Sequence, residues 1–134
     1  MPYHLSPNEY EALIHTTGPD RYKYTLKRVA DWEEVWSLAN EDCWVLQGGE
    51  GGTEMVPIWP HPRFAELCAT GHWDGCAPRL IKLEDWCNKW LPGLSRDGRM
   101  LSVFPVPGAS GTRGPVVSPD RFTDDLQEQL DMIE

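Results

Sequence analysis

The sequence predicts an α+β fold in one domain spanning residues 1–134, with helices packed on a small, mainly antiparallel sheet. Three observations lead there. Apolar residues recur at helical spacing in the first third of the chain and again at its end. Between these regions, two strand-like runs flank the glycine-rich segment Gly48-Gly49-Glu50-Gly51-Gly52, the pattern of a hairpin. Short helical and strand-like stretches then alternate. With 134 residues, 40% of them hydrophobic, the chain is long enough to bury a core, and no repeat, low-complexity tract or linker divides it.

Ser6-Pro7-Asn8-Glu9 supplies a capping side chain, proline at the first helical position and glutamate three residues after the cap. A helix is therefore expected over residues 7–15, stopped by Gly18-Pro19. From Asp20, the residues Tyr22, Leu26, Val29 and Ala30 share a helical face. Trp32, Val35, Trp36 and Ala39 continue the period, with Asp31 and Glu34 placed to restart it, so one long helix and two consecutive ones fit equally. Residues 43–47 and 53–59 form the expected hairpin, Pro57 marking an edge or a strand end.

Pro60-His61-Pro62 opens a helix over residues 62–69, with Gly71 as its stop. A strand over residues 79–83 feeds a helix through Glu84, Asp85, Trp86 and Trp90, closed by Pro92-Gly93. A strand over residues 100–106, a loop over 107–115 and a short strand at Val116-Val117 follow. Ser118-Pro119 then caps the last helix. Its core stripe is Phe122, Leu126, Leu130 and Ile133. Asp120, Asp124, Glu128 and Asp131 run about 200° out of phase with that stripe, so they face away from the core.

Twenty-one acidic residues against twelve basic ones give a net charge of −9. Such a chain repels phosphate backbones, and nucleic acid is not an expected partner. The local exception is Arg21, Lys23, Lys27 and Arg28, read as a solvated helix face. No apolar stretch reaches the roughly 18 residues that a membrane-spanning helix needs. Met1 to Tyr10 lack the basic and apolar regions of a secretory signal, so a cytoplasmic location is expected. There Cys43, Cys68, Cys76 and Cys87 read as reduced, mostly buried thiols. A zinc site from Cys68, His72, Cys76 and Cys87 is the sharper reading. Its spacing matches no usual framework and lacks a C-x-x-C pair, so neither metal nor cofactor is assigned.

Val56-Pro57-Ile58-Trp59-Pro60-His61-Pro62, Ile81-Lys82-Leu83-Glu84-Asp85-Trp86, Lys89-Trp90-Leu91-Pro92-Gly93-Leu94, Val103-Phe104-Pro105 and Val116-Val117-Ser118-Pro119 resemble a small bacterial family known as domain of unknown function 2750. The resemblance runs from about Tyr22 to Leu130. Its motifs are tryptophan, proline and glycine positions, which locate turns and core contacts. It implies a single-domain bacterial protein and transfers no catalytic residue.

Trp59, His61 and Arg63 make the most suggestive cluster. Imidazole serves as base or ligand, guanidinium grips an anion and indole walls a pocket. The plainer reading has His61 cap a helix and Trp59 lie in the core. Glu84 and Asp85 are adjacent carboxylates, but neighbours on a helix do not face each other, and favourable placement near the helix dipole explains them. Gly108-Ala109-Ser110-Gly111-Thr112-Arg113-Gly114 lacks the ending of a P-loop and precedes a strand, so a surface loop explains it better than a phosphate cradle. Seven tryptophans are unusual for the length, and Trp73, in loop-like sequence, is the one expected to be exposed as a binding anchor.

No catalytic motif emerges. The chain reads as a non-catalytic acidic protein of inhibitor, immunity or counter-defence type, meeting a basic protein partner through Asp120, Asp124, Glu128, Asp131 and Trp73. The alternative is a small enzyme or ligand-binding domain with a pocket at Trp59, His61 and Arg63.

Overall fold

Two local hydrogen bonds start the chain as its sequence prescribes. Ser6 Oγ accepts from the Glu9 N–H at 3.1 Å and Thr17 Oγ1 from the Asp20 N–H at 3.3 Å. Each cap is followed by a proline in the first turn, giving α1 (Pro7–Ile14) and α2 (Gly18–Trp32). The computed structural model describes residues 6–41, 44–48, 53–70, 73–106 and 114–133. Cys43, Gly49 to Gly52, Gly71, His72 and the 108–113 part of the glycine-rich loop lie outside the described residues.

α2 does not continue to Ala39. Glu33 takes a left-handed conformation at φ 57° and ends the helix, and β1 (Glu34–Ala39) begins at the next residue. Val35, Ser37, Leu38 and Ala39 are all buried there. A strand covered on both faces carries a near-continuous apolar run, and such a run satisfies helical spacing as readily as strand spacing.

β1 pairs antiparallel with β4 (Ala77–Lys82), Glu34 opposite Lys82 and Ala39 opposite Ala77. A second sheet has the order β2-β3-β5-β6, from β2 (Gln47–Gly48), β3 (Glu54–Ile58), β5 (Met100–Val103) and β6 (Val116–Val117). β2 with β3 is the expected hairpin, shortened, and β5 with β6 is also antiparallel, whereas β3 and β5 run parallel. A parallel pair needs a long crossover. Here α3 (Pro62–Leu67), β4 and the helical stretch beyond it supply that crossover. Trp36 and Trp59 exchange backbone hydrogen bonds at 3.0 and 2.8 Å, which stitches the two sheets together.

The helical stretch after β4 runs through Pro92-Gly93 instead of stopping there. It comprises α4 (Leu83–Asp85), a π-helical turn (Trp86–Trp90) and α5 (Leu91–Arg96). The Leu91 N–H reaches back five residues to the Trp86 carbonyl. A proline lacks an N–H and crowds the carbonyl four residues before it. The widened turn immediately ahead of Pro92 relieves that conflict.

β5 ends at Val103, earlier than the expected 106, because Phe104 adopts φ 51°. For a bulky residue this costs about 1 to 3 kcal/mol and has to be held by its surroundings. The chain closes with α6 (Pro119–Ile133), whose Phe122 and Leu126 are buried and whose Leu130 is half-buried, as the stripe predicts. The Ile133 side chain lies outside the described residues. Val29, Val35, Leu38, Ile58, Trp59, Phe64, Trp86, Leu101, Phe104 and Phe122 are among the core residues between helices and sheets. No described helix is long and apolar enough to cross a membrane.

Candidate functional site

α6 is anchored at its start, where Ser118 Oγ accepts from the Arg121 N–H at 3.1 Å. On its inner side, Phe122 meets the rings of Trp86 and Tyr22 edge-on at 5.8 and 6.3 Å. That packing fixes the helix rotation and turns Asp120, Asp124, Glu128 and Asp131 outward, where all four are exposed. Asp120 accepts from the Ser95 hydroxyl at 3.0 Å and Asp131 from the Gln127 amide at 2.9 Å. Among the described residues, Asp124 and Glu128 have no hydrogen-bond or ion-pair partner. The middle of the face is therefore the part most available to another molecule.

Trp59, His61 and Arg63 are placed in three different environments. Trp59 is fully buried and donates its indole N–H to the Pro105 carbonyl at 2.9 Å. His61 caps α3, its Nδ1 accepting from the Arg63 N–H at 3.1 Å. Arg63 lies over the Tyr10 ring at 4.5 Å, and Tyr10 in turn stacks on Phe64. Helix capping and core packing thus account for the cluster, and its indole has no face open to a ligand. Trp73 is half-buried rather than exposed, its ring edge-on to Trp59 at 6.3 Å. It reads as a core neighbour because a loop position does not reveal that the chain folds the ring inward.

Cys68, Cys76 and Cys87 are free thiols, and among the described residues no three metal-binding side chains gather. Cys68 is buried, donates to the Pro105 carbonyl at 3.3 Å and has its pKa pushed up to about 12 by desolvation. Native protein treated with iodoacetamide at pH 8 is expected to leave Cys68 unmodified while half-buried Cys76 reacts, as peptide mass mapping would reveal. Rapid labelling of Cys68 without unfolding would contradict its burial. The sign of the pH effect follows. An unfolded thiol ionises near its ordinary value of 9. The stability gained by keeping Cys68 neutral is therefore complete below that pH and is lost as pH rises toward 12.

Sequence reasoning missed a groove of about 410 Å³ where α2 and α6 begin, lined by Gly18, Pro19, Arg21, Tyr22, Pro115, Val117 and Arg121 among others. Arg21 was expected on a solvated face, but only 8% of it is exposed. Its Nε donates to the Phe104 carbonyl at 3.0 Å and its Nη1 to the Thr16 carbonyl at 2.7 Å. Burial lowers its pKa. Arg28, from the same basic run, is half-buried over the Tyr24 ring and beside Glu9. The available signal was the spacing of Arg21, Thr25 and Val29, which places the guanidinium in line with two buried residues. Tyr22, beside Arg21, donates its hydroxyl to Asp125 at 2.5 Å, and burial together with that carboxylate raises its pKa.

The strained turn at Phe104 adjoins this groove. Its N–H donates to the Ile58 carbonyl at 2.7 Å, and its ring packs on Phe64 at 4.4 Å. With Arg21 on its carbonyl, both backbone polar groups of the turn are satisfied, which helps to hold the left-handed conformation in place.

Compared with the curated proteins, the chain finds no match. The family model described as protein of unknown function (DUF2750) matches residues 22–126, the segment that carries the sheets, the crossover and most of α6. The chain belongs to that family.

Proposed function

We propose that this protein is a non-catalytic binding protein that meets a basic protein partner with the outer face of α6. One observation carries the reading: Asp120, Asp124, Glu128 and Asp131 stand exposed along one side of a helix whose other side is packed into the core. The net charge of −9 supports it, because a negative surface attracts a basic partner from a distance and repels nucleic acid. An inhibitor, an immunity protein or a counter-defence protein working in the cytoplasm fits these properties. The half-buried Trp73 is left out of the contact surface. The alternative pocket at Trp59, His61 and Arg63 draws little support from side chains committed to core, cap and ring stacking.

Reversal of Asp124 and Glu128 to lysine tests the proposal. Because both side chains are exposed, each change is expected to alter stability by about 0.5 kcal/mol or less in urea melts. A protein captured from host lysate by the wild type and released by salt should be lost from the folded double variant. Capture that ignores the reversal would contradict the proposal.

A further inference from the structure

The groove between the starts of α2 and α6 has features that docking on the outer face of α6 does not use. Arg21 is 92% buried by area, being 8% exposed. Among the described residues no carboxylate lies within ion-pair distance of it. Two backbone carbonyls satisfy its Nε and Nη1 without neutralising its charge. Burying a guanidinium in that way is costly unless a counter-charge arrives. Its remaining nitrogen, Nη2, lies 3.9 Å from where a Cβ on Gly18 would sit, at the groove wall.

A second guanidinium comes from α6. Arg121 has a side chain 70% exposed, with Nε 3.6 Å from Asp125, whose carboxylate also accepts from Tyr22. Neither Asp125 nor the first-turn acids Asp20 and Asp120 line the groove. The lining also includes Pro19, Pro115 and Val117, which are apolar. A volume of about 410 Å³ lies toward the small end of small-molecule sites.

We propose that this groove binds a small oxyanion, a carboxylate or a phosphate monoester, carried on a single-ring apolar body. Arg21 and Arg121 grip the oxyanion, and Pro19, Pro115 and Val117 cover the ring. The two arginines come from different helices, so the fold alone brings them to one groove. The site stands whether or not α6 docks a protein partner.

The test is a titration of the full chain with phenyl phosphate, benzoate and neutral benzyl alcohol, followed through backbone amide resonances. Saturable shifts centred on Gly18, Gly114 and Val117 are expected with one or both anions and not with the alcohol. Preference for phenyl phosphate would identify a phosphate ester as the ligand class, and preference for benzoate a carboxylate. Arg121→Ala changes an exposed side chain and should weaken anion binding about tenfold with the melt unchanged, the effect of losing one charge-assisted contact. Arg21→Lys, checked for folding, should weaken it too, because a point charge does not reproduce the planar fork. Absence of saturable binding at the groove, equal binding of all three probes, or an Arg121→Ala variant that binds as tightly as the wild type would overturn the proposal.

Discussion

Replacing Trp59 with alanine is expected to destabilise the protein by about 4 kcal/mol, the cost of removing a large aromatic side chain from a packed core. The residue has no exposed surface, and its backbone joins the two sheets through Trp36. Its ring also supports Trp73, and its N–H satisfies the Pro105 carbonyl. Trp59→Phe keeps most of the volume and loses the hydrogen bond, leaving that carbonyl only the Cys68 thiol, so a smaller loss of about 1 to 2 kcal/mol is expected. Urea denaturation of both variants checks the order. Two losses below about 1 kcal/mol would mean that Trp59 is no core residue, and the pocket reading around His61 and Arg63 would regain its footing.

Gly114→Ala should be nearly as severe, about 3 kcal/mol, as an overpacked contact that cannot relax. A Cβ there would stand 2.7 Å from the Val103 carbonyl oxygen and 2.8 Å from both the nitrogen and Cα of Pro105. These are backbone atoms beside the strained Phe104 turn and the Val103 N–H bond to the Pro115 carbonyl. No rotamer change relieves the clash, so β6 would have to separate from β5. Gly18→Ala is the control from the same groove. Its Cβ would meet the Pro115 ring at 3.4 Å, an ordinary contact, and stability should stay within about 0.5 kcal/mol. Equal thermal melts for the two variants would contradict the close approach at Gly114.

What could be read from the sequence was local. Ser6 begins its helix through a bond to a residue three positions away, and α6 displays its packed and exposed faces within its own span, whereas Gly18-Pro19, expected as a stop, opens α2 behind the Thr17 cap. The acidic face was therefore legible, while the groove was not. β1 shares helical spacing with α2, and the break between them falls on Glu33 in a left-handed conformation, with no glycine or proline to mark it. Pro92 looked like a stop because a π turn that makes room for it leaves no compositional trace. Arg21 looked solvated because its two carbonyl partners include Phe104, which lies 83 positions away and is oriented by a strained φ. Long-range placement of this kind depends on the sheet, and a single sequence does not state the strand order β2-β3-β5-β6.

The most direct test of the proposed function is the rate at which the captured partner associates with the wild type and with the Asp124→Lys/Glu128→Lys variant, measured across ionic strength. Docking on the acidic face predicts a wild-type rate that falls steeply with salt. It also predicts a double variant about tenfold slower at low salt, with a flatter dependence, since exposed charges act mainly by steering encounter. Rates and salt slopes that coincide for the two proteins would contradict it, leaving the face of α6 as solvated surface and nothing more.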